Sequence, residues 1–190
     1  MDSFFNNTEK NPRGIPSAPF IENIDEFMKE QKEFELVFNK FQERLSKYKF
    51  MLESKQTTIR QLGQRIPDIQ NTLQVCRQLQ QAKEDGDEDK LEFNYKLNET
   101  LYTKAQVDLT QDTKVGLWLG ADVMLEYPVE EAVTLLEKKL VESEKNLEIS
   151  KEDVEFLREN ITTMEVNCAR LYNWDVELRK ATKGTENLSL

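Results

Sequence analysis

The chain has 190 residues, 33% of them charged, and a net charge of −10 at neutral pH. Basic residues that neutralise phosphates supply most nucleic-acid affinity, so this charge argues against a nucleic-acid-binding protein and against adhesion to anionic membranes. The sequence contains no run of 18 apolar residues, which is the length needed to span a membrane, and residues 1–10 lack the apolar core of a signal peptide. We therefore expect a cytoplasmic protein, and a nuclear location is left open.

Residues 1–20 are predicted to form an extended tail. Three prolines in this stretch oppose a helix: Pro12, Pro16 and Pro19. The tail also contains phenylalanines, which either dock on another surface or are exposed, and the sequence leaves both alternatives open. Residues 21–29 are predicted to form a short helix with Asn23 as its N-cap.

The short helix opens a coiled-coil segment that is predicted over residues 21–82. From Phe34 onward, mostly apolar residues recur with alternating gaps of four and three. Such a 3.5-residue repeat forms a seam that a second helix must cover. The seam consists of Phe34, Phe38, Phe41, Leu45, Tyr48, Leu52, Lys55, Ile59, Leu62, Ile66, Ile69, Leu73 and Cys76.

A kink is predicted within this helix near Gly63 and Pro67. Proline removes one backbone hydrogen bond, and its ring presses on the carbonyl four residues earlier, which belongs to Gly63. The heptad phase continues unchanged beyond Pro67, which favours a kinked helix. The alternative is two helices joined by a turn at Gly63.

Residues 83–90 are predicted to be an acidic linker. Their Glu-Asp-Gly-Asp-Glu-Asp run looks like part of a calcium loop. However, neither a glycine nor a glutamate falls at the positions that an EF-hand requires, so a solvated linker explains the composition better.

Over residues 91–127 the apolar residues recur at every second position and no longer at every 3.5 positions. This alternation predicts four short strands in two β-hairpins. An insert of this size is too small to bury a core of its own, and its strands leave edges unpaired. We therefore expect the hairpins to mediate oligomerisation. The predicted assembly residues are Leu101, Val107, Val115, Leu117, Trp118, Val123 and Leu125.

The second long helix is predicted over residues 128–180, and a disordered tail over 181–190. Its seam shows the same alternation of gaps, so the two helices are expected to pair antiparallel within one chain. The fold class is thus mainly α with a small β insert: a long antiparallel coiled coil joined by two β-hairpins. Cys76 and Cys168 fall at remote positions of the two seams, which excludes a disulfide between them.

Aromatic residues gather where the first helix begins and the second one ends. One interpretation is that the phenylalanines simply fill the seam. The other is that Asp175, at the next seam position, loosens the pairing, so that the helix ends splay and expose an aromatic interaction surface. The residues concerned are Phe34, Phe38, Phe41, Tyr172 and Trp174.

An enzyme is not expected from this sequence. Histidine is absent, and the sequence contains neither a glycine-rich phosphate loop nor a nucleophile motif. The sequence likewise indicates no catalytic residue, no metal site and no cofactor.

The order helix, two hairpins, helix resembles the α-type subunits of the prefoldin family. The segment VGLWLGADVMLEYPVEEAVTLLEKKL, which starts at Val115, is similar to the α-type signature. GIPSAPFIENIDEFM from Gly14 and TTMEVNCARLYNWDV from Thr162 resemble one eukaryotic branch of these subunits. The resemblance covers nearly the whole chain, apart from the first ten residues, residues 83–90 and the last eight.

This resemblance implies a subunit of a hetero-hexameric co-chaperone, assembled through its hairpins with one further α-type and four β-type subunits. It also implies that the coiled-coil tips hold unfolded proteins, chiefly actin and tubulin, and pass them to the cytosolic chaperonin without nucleotide hydrolysis. The five aromatic residues named above would then be client-binding residues. The alternative is a structural coiled-coil tether or scaffold that holds no client, which explains the heptads but not the hairpins.

Overall fold

The fold, as seen in a computed structural model, is mainly helical with two small antiparallel hairpins, as predicted. The structure describes residues 9–28, 33–86, 90–109 and 113–186, with side chains up to Ala181. In chain order the elements are α1 (Ile24–Phe27), α2 (Phe34–Asp85), β1 (Lys90–Lys96), β2 (Tyr102–Asp108), β3 (Lys114–Gly120), β4 (Val123–Pro128) and α3 (Val129–Glu186).

The long helices differ in extent from the predicted segments. Helix α2 begins at Phe34, well after the short helix, and continues to Asp85, inside the predicted acidic linker. Helix α3 continues to Glu186, six residues into the tail that was predicted to be disordered. Residues 1–8, the linker residues 87–89 and the last four residues lie outside the described part.

Helix α2 runs without interruption through Gly63 and Pro67. The alternative of two helices joined by a turn at Gly63 is therefore wrong. Proline removes a single hydrogen bond, and the seam residues that follow it keep their packing in the same heptad phase. A kink at this position stays a prediction.

The chain divides into two compact units, and both long helices contribute to each of them. The helical unit comprises Met1–Ile59 and Ile149–Leu190, and the hairpin unit comprises Arg60–Glu148. In the part of the chain that the structure describes, no helix is long and apolar enough to cross a membrane.

Ion pairs between α2 and α3 follow an antiparallel arrangement within each unit. Lys49 Nζ lies 2.7 Å from Glu165 Oε1 in the helical unit, and Arg77 Nη2 lies 2.6 Å from Glu137 Oε1 in the hairpin unit. Exposed pairs of this kind contribute less than about 1 kcal/mol each, so the buried seam residues stabilise the helix pairs far more than these charges do.

The core of the hairpin unit joins the helices to the strands. Strand β1 pairs with β2 and β3 pairs with β4, which gives two separate two-stranded sheets. The turn of the second hairpin has positive φ angles at Gly120 (105°), Ala121 (50°) and Asp122 (58°). The buried core residues are Ile69, Leu73, Cys76, Leu79, Leu117, Val129, Ala132 and Leu136.

Both cysteines are free and buried, one in each unit. Burial raises the pKa of the Cys76 thiol and is also the main cause of the raised pKa of Cys168. Each thiol therefore stays protonated near neutral pH and acts as a small apolar group in its seam.

The core of the helical unit includes a third segment besides the two helices. Ile21 and Met28, which precede α2, are as deeply buried as the seam residues of the helices. The buried residues of this core are Ile21, Met28, Phe34, Val37, Phe41, Leu45, Tyr48, Leu157, Met164, Cys168 and Leu171.

Candidate functional site

A segment that we call the strap, residues 9–28, packs along the two helices of the helical unit. It begins with a tight turn, in which the Gly14 N–H donates to the Asn11 carbonyl at 2.9 Å and Gly14 has a φ of +82°. It ends in α1, where the Asn23 side chain caps the helix by accepting a hydrogen bond from the Asp25 N–H. The described part of the predicted tail is therefore a docked segment.

The first part of the strap is anchored to Asp153, a fully buried carboxylate on α3. Asn11 Nδ2 and Arg13 Nε donate to its Oδ1 over 2.9 and 2.6 Å, and Lys55 Nζ on α2 lies 2.9 Å from its Oδ2. Burial raises the pKa of this carboxyl group, but the hydrogen bonds from Lys55 and Arg13 outweigh it, so the pKa lies below its ordinary value. One ionised side chain thus ties the strap to both helices.

Two asparagines of α3 bind the backbone of the strap beyond this anchor. Asn160 Oδ1 accepts a hydrogen bond from the Ala18 N–H. Asn167 accepts one from the Ile21 N–H at 3.1 Å and donates one to the Pro19 carbonyl at 2.7 Å. Both asparagines are buried, so their amides provide partners for backbone groups that water does not reach easily.

The last part of the strap is held by Arg170 and Trp174. Arg170 Nη2 donates to the Glu22 carbonyl at 2.9 Å, and its guanidinium lies 5.1 Å from the centroid of the Phe20 ring. Trp174 Nε1 donates to Asp25 Oδ1 at 2.8 Å. The strap therefore runs parallel to α3 from Asp153 to Trp174.

The structure distinguishes between the two interpretations of the five aromatic residues, which were seam filling by the phenylalanines and an exposed interaction surface. Phe34 and Phe41 are buried, Phe38 and Trp174 are half-buried, and Tyr172 is exposed. Tyr172 thus fits the interpretation of an exposed aromatic surface, whereas Phe34 and Phe41 fit the other interpretation, in which the phenylalanines fill the seam. Client binding by these residues stays a prediction.

The expected splaying of the helix ends is wrong. Asp175 is itself buried, and its Oδ2 lies 2.8 Å from Arg179 Nε on the same helix. Phe27 of the strap packs edge-on against Phe41, with ring centroids 6.2 Å apart. Splaying of the helix ends was expected for a pair of helices without a third packed segment, whereas in the structure the strap packs against both helices.

The hairpin unit exposes apolar side chains on both of its hairpins. Each two-stranded sheet also leaves one edge of every strand unpaired. Exposed apolar side chains and unpaired strand edges are features typical of protein–protein interaction surfaces. We call this part of the unit the hairpin surface; its exposed side chains are Phe93, Tyr95, Leu97, Leu101, Tyr102, Trp118, Val123, Met124 and Leu125.

The predicted assembly residues divide between this surface and the core. The exposed ones are Leu101, Trp118, Val123 and Leu125. Val107 and Val115 are half-buried against the helices. Leu117 is a core residue, so its prediction as an assembly residue is wrong: alternate residues of β3 face α2 and α3, and Leu117 lies on that side.

The strap anchors on α3 were missed in the sequence. The missed anchors recur at every seventh residue, as Asp153, Asn160 and Asn167, whereas Trp174, the next residue of this series, was singled out only as an aromatic residue. A solvent-exposed flank of a heptad repeat usually carries long charged residues. A flank of short polar residues next to the seam is the signal that could have indicated a third packed segment. Within the described ranges, no group of His, Cys, Asp and Glu residues is arranged to hold a metal ion.

Known proteins are similar to this chain in sequence. Residues 48–174 match the family described as "Prefoldin subunit". The chain is 63% identical to Prefoldin subunit 3 of Saccharomyces cerevisiae over the full length of both chains. It is 44% identical to Prefoldin subunit 3 of Homo sapiens, over 92% of this chain and 87% of the human one. A cryo-EM structure of filamentous PFD from Methanocaldococcus jannaschii matches 66% of this chain and 98% of its own chain, with a TM-score of 0.49 and 16% identity.

The family match includes both hairpins and most of both long helices. The relatives named Prefoldin subunit 3 also identify the eukaryotic branch that the motifs from Gly14 and Thr162 resemble. With its observed order of helix, two hairpins and helix, the chain belongs to the prefoldin family.

Proposed function

We propose that the chain is one of the two α-type subunits of a cytoplasmic hetero-hexameric co-chaperone. The other subunits are one further α-type and four β-type chains. The complex holds unfolded actin and tubulin and delivers them to the cytosolic chaperonin without nucleotide hydrolysis. The chain acts by binding and not as an enzyme. Family membership supports this proposal, because it implies assembly with other prefoldin subunits and a co-chaperone role.

The observation that carries the proposal is the hairpin surface. Trp118 is 65% exposed, and Met124, its cross-strand partner, is 50% exposed. Burying a large apolar side chain gains about 1.5–3 kcal/mol, so partner strands that cover this surface and pair with its edges would stabilise the subunit. An assembled complex is therefore the state in which this chain should be tested.

Apolar groups in the helical unit support the holding of unfolded proteins. Exposed side chains there include Leu36, Phe50 and Tyr172. Apolar contacts of this kind do not depend on a defined partner shape, which suits a client without fixed structure.

The test is the suppression of aggregation by the reconstituted complex. Unfolded actin is diluted from denaturant into buffer that contains the complex, and light scattering is followed without ATP. We expect stoichiometric complex to suppress the scattering and the bound actin to pass to added chaperonin, and we expect tubulin to behave likewise. The control mixture contains the other subunits without this chain.

An assembled complex that leaves the scattering unchanged would support the tether or scaffold alternative instead. ATP removal by apyrase provides a second control. If suppression required ATP, the nucleotide-free part of the proposal would be wrong, whereas the assembly part would stand.

A further inference from the structure

Most of the hydrogen bonds that the two helices make with the strap involve its backbone, while its apolar side chains pack in the core. Asn160 and Asn167 bind backbone N–H and carbonyl groups, Arg170 donates to the carbonyls of Ile21 and Glu22, and Tyr48 Oη donates to the Pro16 carbonyl at 2.9 Å. Backbone groups are the same in every polypeptide. A groove that binds an extended chain through them accepts many sequences, with side-chain pockets adding preference.

The spacing of these contacts also fits an extended chain. One heptad of an α-helix advances about 10.5 Å, which is close to the length of three extended residues. The middle of the strap shows this match, because Ala18 and Ile21 contact Asn160 and Asn167, three strap residues against seven helix residues. Between these two asparagines the groove therefore offers contacts spaced for an extended polypeptide that runs parallel to α3.

Two side-chain preferences are visible in the seated strap. The first is for a basic residue, because the buried Asp153 forms an ion pair with Arg13. The second is for aliphatic residues. Ile21, eight residues later, is 3% exposed and lies in the core, and Met28 follows at the same exposure. A well-matched occupant is thus a segment with a basic residue followed about eight residues later by an aliphatic one, with a turn near the basic residue, as in the strap.

From these contacts we infer that the groove between α2 and α3 of the helical unit is a binding site for extended polypeptide, and that the strap is its resident, displaceable occupant. The inference rests on the proposed function where it names an unfolded client as the second occupant. Removing the strap uncovers Phe41, which Phe27 of the strap contacts, together with the amides of Asn160 and Asn167. The site then presents an apolar ring beside hydrogen-bonding groups that bind backbone.

The strap also provides a route for client release without nucleotide. A tethered segment competes with an effective concentration that reaches the millimolar range for short linkers. Because one extended chain replaces another, the exchange keeps a similar number of hydrogen bonds, and its free-energy change is smaller than that of either binding step alone. Client capture displaces the strap, and return of the strap ejects the client.

The test locks the strap in the assembled complex. The Ala18 N–H is hydrogen-bonded to the Asn160 side chain, so the double variant Ala18→Cys/Asn160→Cys brings two thiols within reach of a disulfide. A photo-crosslinking amino acid replaces Phe38, which is half-buried beneath the strap. Two probes are used: unfolded actin, and a fluorescent synthetic peptide with the sequence of residues 9–28.

We expect both probes to crosslink in the reduced complex and at least tenfold less in the oxidised one. The same complex without the two new cysteines should not respond to the oxidant. Equal crosslinking in the two redox states of the double variant, or no crosslinking of either probe in the complex that keeps Ala18 and Asn160, would overturn the inference. If actin were held by the complex but never crosslinked here, the proposed function would stand without this site. If the peptide crosslinked but no client were held, the site would stand without the proposed function.

A second variant makes the test independent of the disulfide. Arg13→Ala removes the ion pairs of the strap with Glu152 and Asp153 and leaves the groove intact. We expect the synthetic peptide to bind about tenfold more tightly, because its competitor has lost a charge-assisted hydrogen bond. Lys10→Ala, which removes the same charge from an exposed position of the strap, is the matched control and should leave the affinity unchanged. An Arg13→Ala affinity equal to that of the control would also count against the inference.

Discussion

At the scale of single residues, Asp153 joins three segments of the chain. Its carboxylate accepts hydrogen bonds from Asn11 and Arg13 of the strap and pairs with Lys55 of α2. A buried carboxylate is costly unless its charge is matched, and here two cations match it. Asp153 is therefore the residue at which removal of one charge should loosen the strap most.

Acidification should remove the contribution of Asp153 to strap docking. The pKa of Asp153 is lower in the folded protein than in the unfolded chain, so its contribution is fully present above the ordinary carboxyl pKa and is lost as the pH falls through the folded value. We expect Asp153→Asn to lower the free energy of local opening of the strap by about 1–3 kcal/mol at pH 7, and the difference from wild type to shrink on acidification.

Hydrogen exchange of the Ala18 and Ile21 amides in the assembled complex, corrected for the intrinsic exchange rate, measures this opening. Glu152→Gln is the matched control, because Glu152 pairs with the same arginine from an exposed position and should change little. Equal effects of the two substitutions, or a difference that does not depend on pH, would contradict the role given to Asp153.

At the scale of elements, two glycines have opposite roles. Gly63 lies inside α2, and an added Cβ would meet nothing within 4 Å. Gly120 has a φ of +105° in the turn between β3 and β4, a conformation that other residues rarely adopt. The helix does not need its glycine, whereas the hairpin does.

Gly63→Ala should therefore stabilise the assembled complex, and Gly120→Ala should destabilise it. Alanine in a helix interior is favoured over glycine by about 1 kcal/mol, whereas alanine at a positive φ costs about 1–3 kcal/mol. Denaturant unfolding of the two variants, followed by circular dichroism, gives both signs in one experiment. A destabilising Gly63→Ala would mean that the helix needs the freedom of glycine beside Pro67.

At the scale of the whole molecule, the sequence predicted the order of elements but not the strap. Heptads and alternating strands are local patterns, so the helices and hairpins could be placed from neighbouring residues. The strap depends on contacts between residues about 140 positions apart, such as Asn11 with Asp153 and Ala18 with Asn160. The flank of short polar residues on α3 signals that some segment packs there, but no local pattern says which segment, and an exposed aromatic surface on α2 therefore remained an alternative.

The side chains that form the hairpin surface could also be predicted only in part from the local sequence pattern. Alternation along β3 separates two faces but does not say which face meets the helices. Trp118 is exposed and Leu117 is buried, although both were predicted to take part in assembly. The choice between the faces is made by packing against α2 and α3, which the strand pattern does not contain.

The most direct test of assembly through the hairpins is the native mass of this chain mixed with the other subunits. We predict a hexamer that contains this chain, one further α-type subunit and four β-type subunits. Trp118→Glu should remove this chain from the complex, because it places a charge in a surface that assembly must bury. Tyr172→Glu, at a similarly exposed aromatic residue of the helical unit, should leave the hexamer intact. A wild-type chain that stays outside the complex, or a Trp118→Glu chain that enters it as readily as wild type, would contradict the account.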